Sequence, residues 1–225
     1  MKKTLITLLT LCGVATADEV KPITLTATFN DEKTATFNLD DFKVEALTLV
    51  NTETNAVLNS MAATDNDIMP DRLRPNINVD TGNSWTLDFT VSNSGANDLT
   101  VNSITLSAFA FNSGGDVQVN NRNFLFTVSA GDTAIATDTN LYIAGSSTNG
   151  QSLTITLTDS LTIAAKDNMT FSIMVEQGAA GNNGRGAYLG LNTVTFNGTM
   201  PVPEPTTATL SLFALAGLAA RRRRR

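Results

Sequence analysis

Histidine is absent from this 225-residue sequence, and cysteine occurs once, at Cys12. The absence of histidine excludes Ser-His-Asp and Cys-His catalysis, imidazole-ligated zinc and acid–base chemistry by histidine. A single cysteine cannot form a disulfide within the chain. The stability of the folded protein must therefore come from packing, with or without help from a metal.

Charged residues are also scarce, at 16% of the chain, and many of the basic ones lie at its two ends. Residues 18–220 contain 8 basic and 21 acidic residues, which gives this region a net charge of −13. Such an acidic region argues against nucleic acid and anionic membrane surfaces as partners. The hydrophobic content of 42% is sufficient for one core, and about 200 residues suit one all-β domain.

The N-terminus has the three parts of a cleaved secretion signal. Two lysines are followed by a short apolar run over residues 5–11, and small residues stand at Ala15 and Ala17. This order of charge, apolar run and A-x-A site is typical of a signal peptide, and the apolar run is too short to span a bilayer. We predict a signal helix over residues 1–17, cleaved after Ala17 so that Asp18 begins the mature chain.

The C-terminus has an equally ordered layout. Pro203, Glu204 and Pro205 are followed by an apolar segment over residues 206–220, which predicts a hydrophobic helix. The prolines hold the motif extended just before that helix. The chain then ends in five arginines, Arg221, Arg222, Arg223, Arg224 and Arg225. Because arginines cross a bilayer only at high cost, they are expected to remain cytoplasmic and to orient the tail.

Pro203-Glu204-Pro205, the apolar stretch and the arginine cluster together resemble the PEP-CTERM sorting domain. The resemblance covers residues 201–225 and implies export of the chain, with the tail holding it transiently in the membrane. It further implies that export machinery and an exosortase-type membrane protease are partners. The processed protein would then lie at the cell surface or outside the cell.

Between the two ends, apolar residues alternate with polar ones at a period of two, as in half-buried antiparallel strands. Trp85, Leu87, Phe89 and Val91 share one face of such a run, with threonine and aspartate between them. Other runs of this kind are separated by turns rich in Gly, Asn and Asp. One run over residues 189–196 changes parity, which predicts a β-bulge at residues 192–193.

These short, evenly spaced strands predict an all-β fold over residues 18–200, an antiparallel β-sandwich. A loose similarity to modules that precede such sorting tails favours a jelly-roll-like sandwich, with an Ig-like one as the alternative. Residues 52–68 are predicted to hold one short helix around Ala56, Val57 and Leu58.

Candidate ligand-binding residues in this middle region are few. Tyr142 and Tyr188 are predicted to be exposed enough for contacts with a glycan, whereas Trp85 has the parity of a core residue. Asn76, Asn78 and Asp80 alternate their side-chain oxygens before Gly82 and are weak candidates for a calcium site. No other cofactor is indicated.

No catalytic constellation is recognisable in the sequence, and the protein is predicted not to be an enzyme. The favoured function is a structural or adhesive surface component, associated with extracellular polysaccharide as the resemblance implies. A carbohydrate-binding module is the second candidate. A glycoside hydrolase that uses paired carboxylates is the third.

Overall fold

The computed structural model describes residues 19–30, 33–61, 72–80, 82–146, 150–178 and 188–202. The predicted signal helix and the predicted helix over 206–220 lie outside these residues, as do the sorting motif and the arginine cluster. Within the described ranges, no helix is long and apolar enough to span a membrane.

The chain divides into two compact units. One comprises residues 21–200, and the other comprises the two chain ends, residues 1–20 and 201–225. The described residues form ten strands: β1 (Glu19–Phe29), β2 (Ala35–Phe37), β3 (Phe42–Asn51), β4 (Trp85–Asn93), β5 (Leu99–Phe111), β6 (Arg122–Ala130), β7 (Thr133–Ile143), β8 (Gln151–Ile163), β9 (Asp167–Gln177) and β10 (Tyr188–Val202).

The strands form two five-stranded antiparallel sheets, which confirms the predicted all-β sandwich. The first sheet has the order β2-β1-β10-β5-β8, and the second has the order β3-β4-β9-β6-β7. From β4 to β9, every consecutive pair of strands except β6–β7 changes sheet. Most of the core is therefore built from strands that are distant in sequence.

The alternating sequence of β4 shows why the sandwich forms. Its inward side chains, from Trp85 to Val91, are almost fully buried, and the residues between them are only partly covered. Trp85 is 0% exposed, so its assignment to the core is confirmed. On β4 and β9, Phe89 pairs with Phe171 in register and their rings stack with centroids 5.7 Å apart. Phe196, from the other sheet, lies 4.8 Å from the Phe171 ring, so aromatic packing joins the two sheets.

The predicted bulge in the last strand is confirmed. On β10, Leu191 pairs with Ala108 of β5 and Thr193 pairs with Ser107, so that Asn192 is the additional residue. The bulge explains the change of parity, because one extra residue turns the following side chains to the opposite face. Val194 and Phe196 consequently point into the core.

The predicted helix around residues 56–58 is wrong. The chain turns back at Asn55, where φ is +54°, and Val57 forms an antiparallel bridge with Val50 of β3. The Leu58 N–H donates to the carbonyl of Leu49 at 2.9 Å. Backbone hydrogen bonds to β3 thus hold this segment extended, and the local sequence preference is overridden by a neighbouring strand.

The two ends of the sandwich in unit 21–200 differ in their connections. At one end, which we call the turn end, Asn93 of β4 pairs with Asp167 of β9, and short turns at residues 94–98 and 164–166 connect the strands. At the other end, the loop end, Trp85 pairs with Val175, and Phe111 of β5 pairs with Tyr188. The longer connections, residues 52–84, 112–121, 144–150 and 178–187, all follow or precede strands at the loop end.

Candidate functional site

A small cleft of about 240 Å³ lies at the loop end, beside the ends of β3, β4 and β9. These strands are neighbours in one sheet, and Asn51, Trp85 and Val175 lie side by side in register at their ends. The segments that continue from them therefore converge. The cleft is lined by Glu53, Asp80, Gly82, Ser84, Glu176 and Gln177.

Glu53 is fixed against Ser84, at the start of the segment that follows β3. One carboxylate oxygen accepts from the Ser84 N–H at 3.0 Å, and the other accepts from the Ser84 hydroxyl at 2.7 Å. Glu53 is exposed, and the slight desolvation of its carboxyl group acts to raise its pKa, but the hydrogen bonds from Ser84 and from its own backbone together lower the pKa below the ordinary value. Glu53 is therefore a carboxylate at neutral pH.

Asp80 organises the turn on the other side of the cleft. Its carboxylate accepts from the side-chain amide of Asn83 at 2.7 Å and from that of Asn78 at 3.4 Å. The backbone of Asp80 and Asn83 is joined by reciprocal hydrogen bonds of 3.1 and 3.2 Å. Gly82 has φ of +89°, which this turn requires and which side chains with a Cβ rarely adopt. These contacts make Asp80 a turn-forming residue.

The predicted calcium ligands are brought together only in part. Asn78 and Asp80 are hydrogen-bonded to each other, whereas Asn76 is exposed and its backbone N–H donates to Asn59. Within the described ranges, no group of three or more acidic, cysteine or histidine side chains is arranged to hold a metal. The calcium site stays a prediction.

The predicted glycan contacts lie on different sheets. Tyr142, on the edge strand β7, is 49% exposed. Tyr188 begins the interior strand β10, is half-buried, and packs with its ring 5.3 Å from Phe111. The two tyrosines therefore do not form one flat platform, although both lie near the loop end.

A second group of loop-end residues was not anticipated from the sequence. Phe109 and Phe111 are fully buried on the side of β5 that faces away from the main core, with Met61, Val117 and Tyr188 packed against them. The guanidinium carbons of Arg72 and Arg74 lie 4.9 and 5.8 Å from the centre of the Phe109 ring. Such cation–π contacts contribute most where the arginine is desolvated, and Arg74 is completely buried.

Glu53 and Glu176 were also not anticipated, and no local signal could have revealed them. Each stands in an ordinary turn or strand-end sequence, and they share a cleft only because β3 and β9 flank β4. The cleft offers carboxylate, amide and hydroxyl groups for hydrogen bonding. A glycosidase acid requires a carboxyl group with a raised pKa, and the pKa of Glu53 is shifted in the opposite direction.

The comparisons with known proteins concern mainly the C-terminus. Residues 201–225 match the PEP-CTERM protein-sorting motif. The chain carries a PEP-CTERM sorting tail. It is therefore an exported protein that is sorted to the cell surface by way of the membrane, with a β-sandwich preceding the tail. The matched region begins inside β10, which ends at Val202.

Several solved structures resemble this chain at low sequence identity and low TM-score, and some of them are carbohydrate-active proteins. An arabinose-bound GH51 α-L-arabinofuranosidase is 13% identical, with a TM-score of 0.35, and the match covers 76% of this chain. That match covers 26% of the arabinofuranosidase chain, so this protein spans about a quarter of its length. No curated protein sequence matches the chain.

Two further similar structures come from Paenibacillus barcinonensis. Its CBM35 is 10% identical, with a TM-score of 0.31 and coverage of 75% of this chain and 96% of that one. The N-terminal CBM22 tandem domain of its Xyn10C is 11% identical, with a TM-score of 0.29 and coverage of 87% and 49%. Similarities of this size carry no functional inference.

Proposed function

We propose that this protein is a non-catalytic component of the cell surface, a β-sandwich that a PEP-CTERM tail delivers. The observation that carries the proposal is the match of residues 201–225 to the sorting motif. Its partners in delivery are the export machinery and an exosortase-type membrane protease. Once processed, the sandwich serves a structural or adhesive role in association with extracellular polysaccharide.

The first and last strands of the sandwich lie between the two proposed processing points, one after Ala17 and one near Pro203. β1 begins at Glu19, two residues after the proposed cleavage at Ala17, and β10 ends at Val202, directly before Pro203. Processing at both points would therefore leave the ten strands intact. The proposed organisation is a signal peptide over 1–17, a sandwich over 18–200 and a sorting tail over 201–225.

We assign the sandwich to the jelly-roll class rather than to the Ig-like class. The strand order supports this assignment, because β1-β10-β5-β8 faces β4-β9-β6-β7. Eight strands wound in this way form the two Greek keys of a jelly roll. β2 and β3 then follow the first strand of the roll in sequence, and each adds one edge strand to one of the two sheets.

Carbohydrate binding at the loop-end cleft is the second candidate function. The mixture of Glu53, Ser84, Glu176 and Gln177 suits the hydroxyl groups of a sugar. A cleft of about 240 Å³ is below the range of about 300–1,000 Å³ that is usual for buried small molecules. It therefore suits one exposed sugar residue or one hydrated cation, such as calcium held with Asp80. Tyr142 and Tyr188 also lie near the loop end of the sandwich.

The sorting proposal is tested by intact mass and cell fraction of the native protein. A variant that combines Glu204→Ala with deletion of residues 221–225 provides the comparison. We expect the native chain to begin at Asp18, to lack the apolar tail and to lie at the surface, while the variant stays in the inner membrane. A native chain that keeps the tail and all five arginines would contradict the proposal.

Glycan binding is tested on an array with the secreted protein. We expect Glu53→Gln and Glu176→Gln to weaken any binding severalfold, because each removes an acceptor from the cleft. Asp132→Asn, an exposed acid in the β6–β7 turn away from the cleft, is the matched control. Equal binding by all three variants would place the ligand elsewhere. Release of reducing sugar from the glycan would instead favour a hydrolase.

A further inference from the structure

One outer face of the sandwich carries a row of threonines that crosses four strands. The face belongs to the sheet β2-β1-β10-β5-β8, whose other face covers the core. Thr105 of β5 pairs with Thr195 of β10 on one side and with Thr154 of β8 on the other. The Thr195 hydroxyl lies 3.2 Å from that of Thr26 on β1. Strands that are distant in sequence thus bring four hydroxyl groups into one line across the sheet.

A similar row lies on each side of this one. The Thr24 hydroxyl donates to the side chain of Asn197 at 3.4 Å, and the same register places Thr28 beside Thr193. The three rows contain eight threonines, three serines and one asparagine, and all twelve side chains are exposed or half-buried: Thr28, Thr193, Ser107 and Ser152; Thr26, Thr195, Thr105 and Thr154; and Thr24, Asn197, Ser103 and Thr156. We call these twelve residues the hydroxyl face.

The hydroxyl face is regular because it lies between two interruptions of the β5–β10 register. One is the bulge at Asn192, and the other follows Asn197. Between them residues pair one for one, so outward side chains are about 4.8 Å apart across the strands and about 6.7 Å apart along them. Threonine side chains are stiff about χ1. The sheet therefore holds hydroxyl and methyl groups in a repeat that covers about 14 Å by 13 Å.

The outer face of the other sheet is chemically mixed. There Asp88 of β4 pairs with Ser172 of β9, and Met174 and Glu176 project from β9 on the same side as Ser172. The same protein thus covers its second sheet with charged, apolar and hydroxyl side chains together. Solubility and strand propensity are satisfied by that mixture, so they do not account for a face made almost wholly of hydroxyl groups.

The composition of the hydroxyl face restricts the partner that it fits. None of its twelve residues is charged, which removes electrostatic attraction to anionic membranes, charged polymers and ionic minerals. None is aromatic, so the face offers no ring to stack on a sugar or to anchor a protein interface. Its hydroxyl groups both donate and accept hydrogen bonds, as water does. The partner that matches is uncharged, repetitive and made of groups that donate and accept.

We propose that the hydroxyl face binds the surface of ice. A single threonine gains little from ice, because liquid water offers the same hydrogen bonds. Many hydroxyl groups at fixed spacing differ, since one ordered layer of water can bind all of them at once. The sheet has already fixed their positions, so little conformational entropy is lost on binding. The proposal goes beyond the proposed function, because it requires the folded sandwich and not the sorting tail.

The two outer faces provide matched positions for a test. On the hydroxyl face, the hydroxyl groups of Thr105 and Thr154 lie 3.0 Å apart. On the other face, those of Thr90 and Thr170 also lie 3.0 Å apart. Thr105 and Thr90 are both half-buried on interior strands, β5 and β4. Thr105→Lys therefore places a long charged side chain within the hydroxyl face, and Thr90→Lys makes the same change outside it.

The measurement is the fraction of the secreted protein that enters ice growing slowly from a dilute solution. A dissolved dye that ice excludes gives the background. We expect the parent and Thr90→Lys to enter the ice well above this background, and Thr105→Lys to enter severalfold less. A parent protein that is excluded like the dye, or equal uptake of the two variants, would overturn the proposal.

Two further measurements keep the outcome clear. Circular dichroism shows whether each variant keeps its sheet structure, and if Thr105→Lys does not, Thr154→Lys on the edge strand β8 replaces it, with Thr170→Lys as its control. Binding to insoluble cellulose is measured in parallel. Cellulose binding that is lost in the hydroxyl-face variant, with ice uptake unchanged, would assign the face to a polysaccharide and overturn the assignment to ice.

Discussion

The interior strands and the edge strands of this sandwich differ in how their backbones are paired and interrupted. β4, β5, β9 and β10 each have a neighbouring strand on both sides; β4 and β9 pair without a register shift, and β5 and β10 pair over a longer register with two shifts. Three of the four edge strands, β3, β7 and β8, are each interrupted by an irregularity that contains an acidic residue. The fourth, β2, is only three residues long.

The edge irregularities are consistent from strand to strand. In β3 the register shifts between Val44 and Leu47, which places Glu45 in a bulge. In β7 a shift between the partners of Phe126 and Val128 includes Asp138, whose φ is +49°. In β8 the residues 157–160, with Asp159, form an excursion between Thr156 and Leu161.

An exposed, regular edge strand offers unpaired backbone groups to another chain and promotes aggregation. Bulges and charges disrupt that template, and a very short strand offers little of it. A threonine-rich protein in which only 16% of the residues are charged needs such protection. The comparison thus teaches that interior strands are built for packing, whereas edge strands are built to prevent pairing with other copies.

The largest effect is expected in the interior. Phe171→Ala removes a ring that is 1% exposed and packs against Phe89 and Phe196. The free energy of unfolding should fall by about 3–5 kcal/mol, as for other buried aromatic residues. Urea unfolding of the secreted protein measures it. Tyr142→Ala, on the edge strand β7, is the control and should change stability by no more than about 0.5 kcal/mol; similar losses for both would remove the distinction.

The second prediction concerns the edge strand β8, where a change should cause association between copies of the protein rather than a loss of stability. Deletion of residues 157–160 would let Thr156 continue directly into Leu161 and keep the alternation of the strand, so that β8 becomes a regular edge. We expect particles whose size, by analytical ultracentrifugation, increases with protein concentration.

The control for that deletion is Asp159→Asn, which keeps the excursion and removes only the charge. It should remain close to the parent in size, because the irregular backbone still interrupts pairing. A deletion variant that keeps the sheet spectrum by circular dichroism and remains monomeric would show that the excursion does not protect the edge.

The smallest effect concerns Glu53, just beyond the edge strand β3. Its folded-state pKa lies below the ordinary value, so ionised Glu53 stabilises the fold above its unfolded pKa. This contribution is lost as the pH falls through the lowered folded pKa. Glu53→Gln should therefore reduce stability slightly at neutral pH and bring the variant and parent together in acid. A difference in stability that does not change with pH would show that the Ser84 contacts are not charge-dependent.

Much of the fold could be predicted because the information is local. Alternation of apolar and polar residues from Trp85 to Val91 indicated a half-buried strand, and the structure has β4 there. The parity change after Leu191 indicated the bulge, since one additional residue reverses the face of every later side chain. The helix predicted at residues 56–58 failed because the backbone of β3, not the local sequence, supplies the hydrogen-bonding partners.

The sequence alone determined the sorting tail, since recognition of Pro203-Glu204-Pro205, an apolar segment and arginines depends on their linear order. The sequence also excluded catalysis and zinc binding by histidine, because the chain contains no histidine. Only the tertiary structure decided that Glu53 and Glu176 share a cleft and that β1 and β10 are neighbours. These relations depend on pairing between strands far apart in the chain, and alternation specifies which face of a strand is buried but not which strand lies beside it.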